Sequence, residues 1–390
     1  MRIAVLVRVL WNGGVQRAAI EGVRGLKKLG KDCDLIFVRR AFSSYELAAG
    51  TRILFDEDSE GRRRWSSLLW LVTSIFAKHR GRDATVDLDL MARACRVARE
   101  YDSVIYVDQW AALIGLWNKI LFGRPFALFL HEFFRRPPSG RLYPVLMISA
   151  TVYDHLVIAL ADAVITSSNY NYQIVSSKRQ RVLLARLGCA EATSSQTERK
   201  RQVLSLTLWD RGRKPSIYLE IAKNVPNAEF IMAGGWTEQD YEEEIKTLAR
   251  QLPNVRITGE ISEEERERLL EESLVYLRFG WSERGPGMGG LEALGHGCIV
   301  VANSELGISE IVTNGIDGFI VNKVDPTEVS ALLRDILSSS PSRLEAIGSA
   351  ARALCRRMSW EEHARVLLQA ISELQSGTTG GEKHVEPTVL

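Results

Sequence analysis

The hydrophobic pattern switches between two periods along most of the chain. Apolar runs at residues 3–9 (interrupted by Arg8), 35–38, 104–107, 126–130 and 163–165 are separated by stretches of helical spacing, such as 15–29 with Val15, Ala18, Ala19, Val23 and Leu26. Short runs without polar alternation suit parallel strands covered on both faces. The scheme repeats after residue 200. Runs at 203–208, 229–233, 255–257, 274–277, 299–302 and 319–321 alternate with helical segments at 215–223, 238–251, 263–272 and 326–337. Strand–helix alternation in both halves predicts an α/β chain of two doubly wound, Rossmann-like domains. A length of 390 residues likewise favours two cores over one. Residues 191–201 are polar and aperiodic and read as the linker, which divides the chain into domains 1–190 and 202–358. Helical segments 341–358 and 360–374 follow, and 375–390 reads as a disordered tail.

Two segments stand apart from this alternation. Residues 144–165 are apolar enough to raise a membrane span, but Asp154, His155 and Asp162 interrupt them, so they read as a core helix and a strand. Residues 61–82 place Trp65, Leu68, Leu69, Val72 and Phe76 near one helical face, with cationic clusters at both ends. That suits an interfacial helix on an anionic membrane surface; a helix packed on the first domain with solvated arginines is the other reading.

Composition adds little, and charge adds more. The chain is 46% hydrophobic and 25% charged, as in soluble globular proteins. Cys33, Cys95, Cys189, Cys298 and Cys355 are widely spaced and odd in number, which argues for a reducing compartment and against a disulfide framework or a zinc site. The apolar run at 3–9 is too short for a signal peptide and reads as a first strand, so the expected location is cytoplasmic. Residues 1–190 hold 28 Lys and Arg against 17 Asp and Glu, whereas 191–390 hold 22 against 31. A net charge of +11 on the first half suggests an anionic partner, such as a phosphorylated lipid or a membrane surface. No nucleic-acid motif accompanies it, and no nucleic-acid partner is expected.

Four stretches carry candidate chemistry. Asn12-Gly13-Gly14-Val15-Gln16-Arg17 lies between the first strand and the first helix, where glycines let the backbone approach a ligand at the sheet's C-terminal edge. It is not GxGxxG, and the second strand ends in Arg39-Arg40 where an NAD site wants an acid, which speaks against a dehydrogenase. His131-Glu132 ends the fourth apolar run. Leu208-Trp209-Asp210-Arg211-Gly212-Arg213-Lys214-Pro215 follows the first strand of the second half. The last stretch is Glu283-Arg284-Gly285-Pro286-Gly287-Met288-Gly289-Gly290-Leu291-Glu292, a glycine-dense loop opening into a helix. The first turn of a helix has unpaired N–H donors and the positive dipole end, so this loop is built to meet an anion. Asp-x-Asp pairs at Asp32/Asp34, Asp56/Asp58 and Asp87/Asp89 lack the strand setting of a metal–nucleotide site, and no metal is assigned.

The last stretch, with Gly295, Gly297, Glu310, Gly315 and Gly318 behind it, resembles the donor-binding signature of the retaining GT-B glycosyltransferases of family 4 (glycosyl transferases group 1). The resemblance implies two domains facing a central cleft, with the helix at 360–374 completing the first. It implies a nucleotide-sugar donor in the second domain and a glycan or lipid-linked acceptor in the first, while the basic first half and segment 61–82 add a peripheral position on the inner face of a membrane to the expected location. It also implies no metal and no cofactor, the nucleotide sugar being a substrate. Carried over residue by residue, Gly13 and Gly14 would cover the sugar phosphate and acceptor, and His131 would contact the donor sugar. Of the two family cations that neutralise the diphosphate, the Lys becomes Arg213, with Lys214 beside it, and the Arg becomes Leu208. The family's first Glu falls on Arg284, with Glu283 one residue away. Gly285, Gly287, Met288 and Gly289 would meet the donor phosphate, and Glu292 would hold the ribose. Pro286 removes one amide donor. His131, Glu283 and Arg284 are thus the catalytic candidates, with Arg284 able to replace the cation missing at Leu208. The departures at Leu208, Arg213, Arg284 and Pro286 leave a second reading, a catalytically impaired GT-B-like binding or assembly subunit.

Overall fold

Eight of the nine residues of β1 (Arg2–Leu10) are buried, the signature of a strand covered on both faces. The computed structural model describes residues 1–40, 43, 45, 47, 50–56, 78–79, 82–83, 88–133, 143–179, 181–189, 192, 199–280 and 283–376. β2 (Asp32–Arg40) and β3 (Arg52–Ile53) lie on one side of β1. A small antiparallel pair, β4 (Lys78–His79) and β5 (Arg82–Asp83), stands apart. On the other side of β1 lie β6 (Ser103–Val107), β7 (Ala127–Leu130), β8 (Ala163–Thr166) and β9 (Val182–Leu184), which completes a seven-stranded sheet. The second sheet has β10 (Lys200–Leu206) inside, flanked by β11 (Glu229–Ala233) and β12 (Val255–Gly259). Its other side carries β13 (Ser273–Arg278), β14 (Ile299–Asn303) and β15 (Gly318–Val321). Every pairing within the two sheets is parallel.

Strand order reverses between β1 and β6 in the first sheet and between β10 and β13 in the second. At such reversals the loops after the C-terminal strand ends diverge and leave a crevice for ligand. The register pairs Val7 with Val107 across the first reversal and Leu204 with Tyr276 across the second. The residues that follow these pairs therefore set the two crevices.

The last helix, Trp360–Ser376, returns from the second sheet to pack on the Gly14–Lys28 helix of the first. Gly25 permits the approach, since a Cβ there would lie 2.5 Å from the Trp360 carbonyl oxygen. One core cluster runs through both halves, joining Ile3 and Leu26 to Leu204, Leu291 and Trp360.

Two expectations are corrected. Cys189 and Cys355 form a disulfide, with Cα atoms 5.2 Å apart. They stand 166 residues apart in sequence, so their spacing carried no sign of it. The fold brings them together because the chain leaving the first domain runs beside the chain returning to it, and the Cys189 N–H donates to the Met358 carbonyl at 2.6 Å. Cys33, Cys95 and Cys298 are free and buried.

The helix Tyr143–Leu160 is not enclosed in a core. Ala150, Val157 and Ile158 face inward beside Asp154, while Ile148, Val152 and Leu156 are 65%, 61% and 49% exposed. An all-round apolar helix reads as buried, but here the polar residue faces in and an apolar stripe faces out. The interfacial helix expected at 61–82 lies outside the described residues except at 78–79 and 82, as do most of the linker and 377–390. Among the described residues, no helix is long and apolar enough to cross a membrane.

Candidate active site

The two crevices open into one cleft of about 810 Å³ between the domains. Gly13, Gly14, His131, Arg213, Glu283, Gly285, Gly287, Met288, Gly289 and Glu292 all line it, whereas Lys214 and Arg284 do not. Lys214 is exposed, in a left-handed conformation (φ 47°) that caps the Pro215–Asn224 helix. The Arg284 guanidinium lies over the Tyr170 ring, 4.2 Å from its centroid. The structure thus places Arg284 against the first domain instead of at the site of the missing cation.

The glycine turns explain how the domains meet. A Cβ on Gly14 would fall 3.5 Å from Met288 Cγ, so the first-domain turn faces the start of the second-domain helix Met288–His296. Gly287 caps that helix at φ 73°, a left-handed conformation that glycine adopts without strain. The Gly285 N–H donates to Glu132 Oε1 of the first domain. A carboxylate thus rests on the amide-rich loop where an anionic ligand would be received.

The charged side chains form two groups. In the first, Glu283 accepts from both Arg213 and Arg278, and Arg278 also donates to Thr207 Oγ1 at 2.5 Å. Arg213 is 4% exposed. Burial works to lower its pKa, but Glu283 and Asp210 outweigh burial and raise it. Arg213 also lies 3.9 Å from Asp210, so two arginines and two carboxylates meet at the β10/β13 crevice. In the second group, Glu292 is held by Arg266 Nη1 at 2.8 Å and by Arg17 Nε, from the first domain, at 3.2 Å. Burial pushes the Glu292 carboxyl up, with both arginines pulling against it.

On the opposite wall, His131 follows β7 with its ring stacked on Phe129 at 4.2 Å. It is 8% exposed, and its Nε2 has no hydrogen-bond partner. Burial, with the nearby His363, pulls its pKa down to about 3. The ring is therefore neutral at pH 7, able to hydrogen-bond a hydroxyl and unable to serve as a proton-donating acid. Among the described residues, no group of three or more His, Cys, Asp or Glu is placed to hold a metal ion.

Sequence reasoning missed Arg278 and Arg266. Arg278 had a usable signal, since it directly follows the apolar run at 274–277 and so stands at the C-terminal edge of a parallel strand. Arg266 sits in an acidic helix and had none.

Residues 197–354 match the sequence family Glycosyl transferases group 1. No curated protein sequence matches the chain significantly. Among solved structures, Anabaena HepE in complex with UDP and glucose is 16% identical, with a TM-score of 0.72 over 95% of this chain and 99% of its own. Sucrose-phosphate synthase from Thermosynechococcus elongatus is 14% identical, with a TM-score of 0.73 over 97% and 100%. A variant of S. aureus TarM, in complex with fondaparinux, alpha-GlcNAc-glycerol and UDP, is 11% identical, with a TM-score of 0.70 over 95% and 100%. At these identities the likeness concerns the fold. The chain thus has the two-domain GT-B fold of these structures, and the match to the group 1 family lies in residues 197–354.

Proposed function

We propose that this protein is a retaining glycosyltransferase of family 4. It takes a sugar from a nucleoside diphosphate sugar on the second domain and passes it to a glycan or lipid-linked acceptor on the first. The observation that carries the reading is the β10/β13 crevice. There Arg213 and Arg278 both donate to the carboxylate of Glu283, with Asp210 behind Arg213, beside the N-terminal turn of the Met288–His296 helix. Together these groups suit the charge that develops on a departing diphosphate, the largest electrostatic task in such a transfer. Arg278 answers the loss of a cation at Leu208, which weakens the case for an impaired subunit.

In this reading Glu292 holds the donor ribose, and Gly285, Gly287 and Gly289 let the backbone approach the phosphates. His131 hydrogen-bonds a donor-sugar hydroxyl as a neutral ring, and closure of the cleft excludes water from the reacting carbon. The arginines take the neutralising role without a metal. UDP is the first nucleotide to try, because HepE and TarM were solved with it.

Ile148, Val152 and Leu156 are exposed, as are Ile120, Leu121 and Phe122 on the Asp108–Phe122 helix that packs against theirs. That surface belongs to the basic half of the chain and supports peripheral docking on the anionic inner face of a membrane.

Isothermal titration with UDP and with uridine tests the donor site. Binding of UDP at least tenfold tighter than uridine supports it, and equal binding counts against it.

A further inference from the structure

The wall of the cleft formed by the β1/β6 crevice holds a cation that nothing described so far uses. Arg8 lies near the end of β1, lines the cleft and is 8% exposed. Its Nε and Nη1 are buried without a hydrogen-bond partner, and among the described residues no carboxylate lies within 4.0 Å of it. A buried guanidinium is costly unless its charge is met. Two indoles hold it instead of an acid, with the Trp110 and Trp11 ring centroids 5.4 and 5.9 Å from its Cζ.

The nearest opposite charge is Asp108, and it is turned to its own helix. Asp108 sits in a left-handed conformation (φ 72°), and its Oδ1 accepts from the Trp110 and Ala111 N–H groups at 2.8 and 2.9 Å. Such a conformation is strained for a residue with a side chain and is kept where the surroundings enforce it. Asp154, in the same wall, has partners within the protein. Beside Arg8 the Asp108–Phe122 helix presents Trp110, Leu113 and Trp117 to the cleft, at the spacing of one helical face. An aromatic strip of that kind suits the apolar C–H face of a sugar ring.

We propose that Arg8 and this tryptophan strip form the acceptor subsite, and that they receive a sugar ring bearing an anionic substituent, a carboxylate or a phosphate. The ring lies on Trp110 and Trp117, and the anion meets the Arg8 guanidinium, which the two indoles hold ready. The proposal rests on the reading that donor and acceptor occupy opposite walls of one cleft. It adds the charge of the acceptor, which that reading leaves open.

Titration followed by tryptophan fluorescence tests it on the intact protein. The probes are methyl glucuronide, glucose 6-phosphate, neutral methyl glucoside and inorganic phosphate, with UDP titrated separately. Wild type should bind at least one of the two anionic sugars at least tenfold more tightly than methyl glucoside, and the tighter of the two names the group. Arg8→Met should shrink that advantage below threefold and leave UDP affinity unchanged. Equal binding of charged and neutral sugars by wild type overturns the proposal, whether or not the variant folds. An advantage that survives Arg8→Met also overturns it, as does a loss of UDP affinity in that variant, which would place Arg8 in the donor site. Inorganic phosphate binding as tightly as glucose 6-phosphate overturns the assignment of a sugar ring. Failure of wild type to bind UDP or any other nucleoside diphosphate is a separate readout and strikes the donor reading instead.

Discussion

Arg17 Nε, on the first helix of one domain, lies 3.2 Å from Glu292 Oε1, on the glycine-loop helix of the other. Arg266 approaches the same oxygen at 2.8 Å. The carboxylate assigned to the donor ribose is therefore held in position by both domains before any donor arrives. Glu292→Gln removes a charge-assisted acceptor, an interaction of about 1.5–3 kcal/mol. UDP affinity should fall roughly tenfold to a hundredfold by titration. Arg266 keeps Glu263 at 2.7 Å and Glu267 at 2.9 Å, so the unfolding free energy in urea should drop by only about 1 kcal/mol.

Arg278 and Leu208 give a second prediction. Arg278 donates to Thr207, the residue before Leu208, so a cation from β13 stands beside the end of β10. Arg278→Met should weaken UDP binding roughly tenfold or more and leave uridine binding unchanged. Adding Leu208→Arg to that variant should restore most of the loss. No recovery in the double variant would mean that the two positions do not serve the same phosphate.

Gly289 is tightly enclosed at the opening of the helix. A Cβ there would lie 2.5 Å from Tyr276 Oη and 3.2 Å from the Leu206 carbonyl oxygen. Gly289→Ala should cost about 1–3 kcal/mol of stability through overpacking. Tyr276→Phe should relieve part of that cost, so the double variant should be more stable in urea than the sum of the single changes.

The pH dependence of stability follows from two buried histidines. Burial pulls His131 down to about 3 and His363 to about 4, from an ordinary value of 6.5. The unfolded chain therefore binds more protons than the folded one between pH 6.5 and about 4. The stabilisation is complete above pH 6.5 and is lost as pH falls. Each histidine should cost about 2 kcal/mol between pH 7 and pH 5. Urea titrations at the two pH values should show a smaller loss for His131→Asn and for His363→Asn than for wild type.

Membrane docking is tested with vesicles of anionic and of zwitterionic lipid. The intact protein should sediment with anionic vesicles, less so at high salt. Replacing Ile148, Val152 and Leu156 together by Ser should reduce the bound fraction several-fold without changing UDP affinity. Unchanged sedimentation would remove this face from the account.

Much of the fold was legible because parallel strands buried on both faces leave continuous apolar runs. The runs at 104–107, 229–233 and 299–302 return as β6, β11 and β14 almost residue for residue. Contacts distant in sequence left no periodic trace, so the Cys189–Cys355 bond and the pairing of Arg17 with Glu292 were invisible. The outward stripe on Tyr143–Leu160 was hidden because apolar residues occur on both its inner and its outer face. At the site, the glycine loop announced the second domain's wall of the cleft. Arg284 and Arg278 were harder, since which of two nearby arginines enters a cleft depends on a loop path that spacing does not encode. Here Tyr170 captures the first and Thr207 the second.

The central claim is transfer of a sugar with retention, and it is tested most directly by following nucleotide sugars with the protein by proton NMR. The account predicts release of the nucleoside diphosphate from at least one donor. It also predicts a first-formed sugar product with the donor's own anomeric configuration, and at least tenfold slower release by Arg278→Met. A product of inverted configuration, or no release from any donor even with anionic sugar acceptors present, would contradict it.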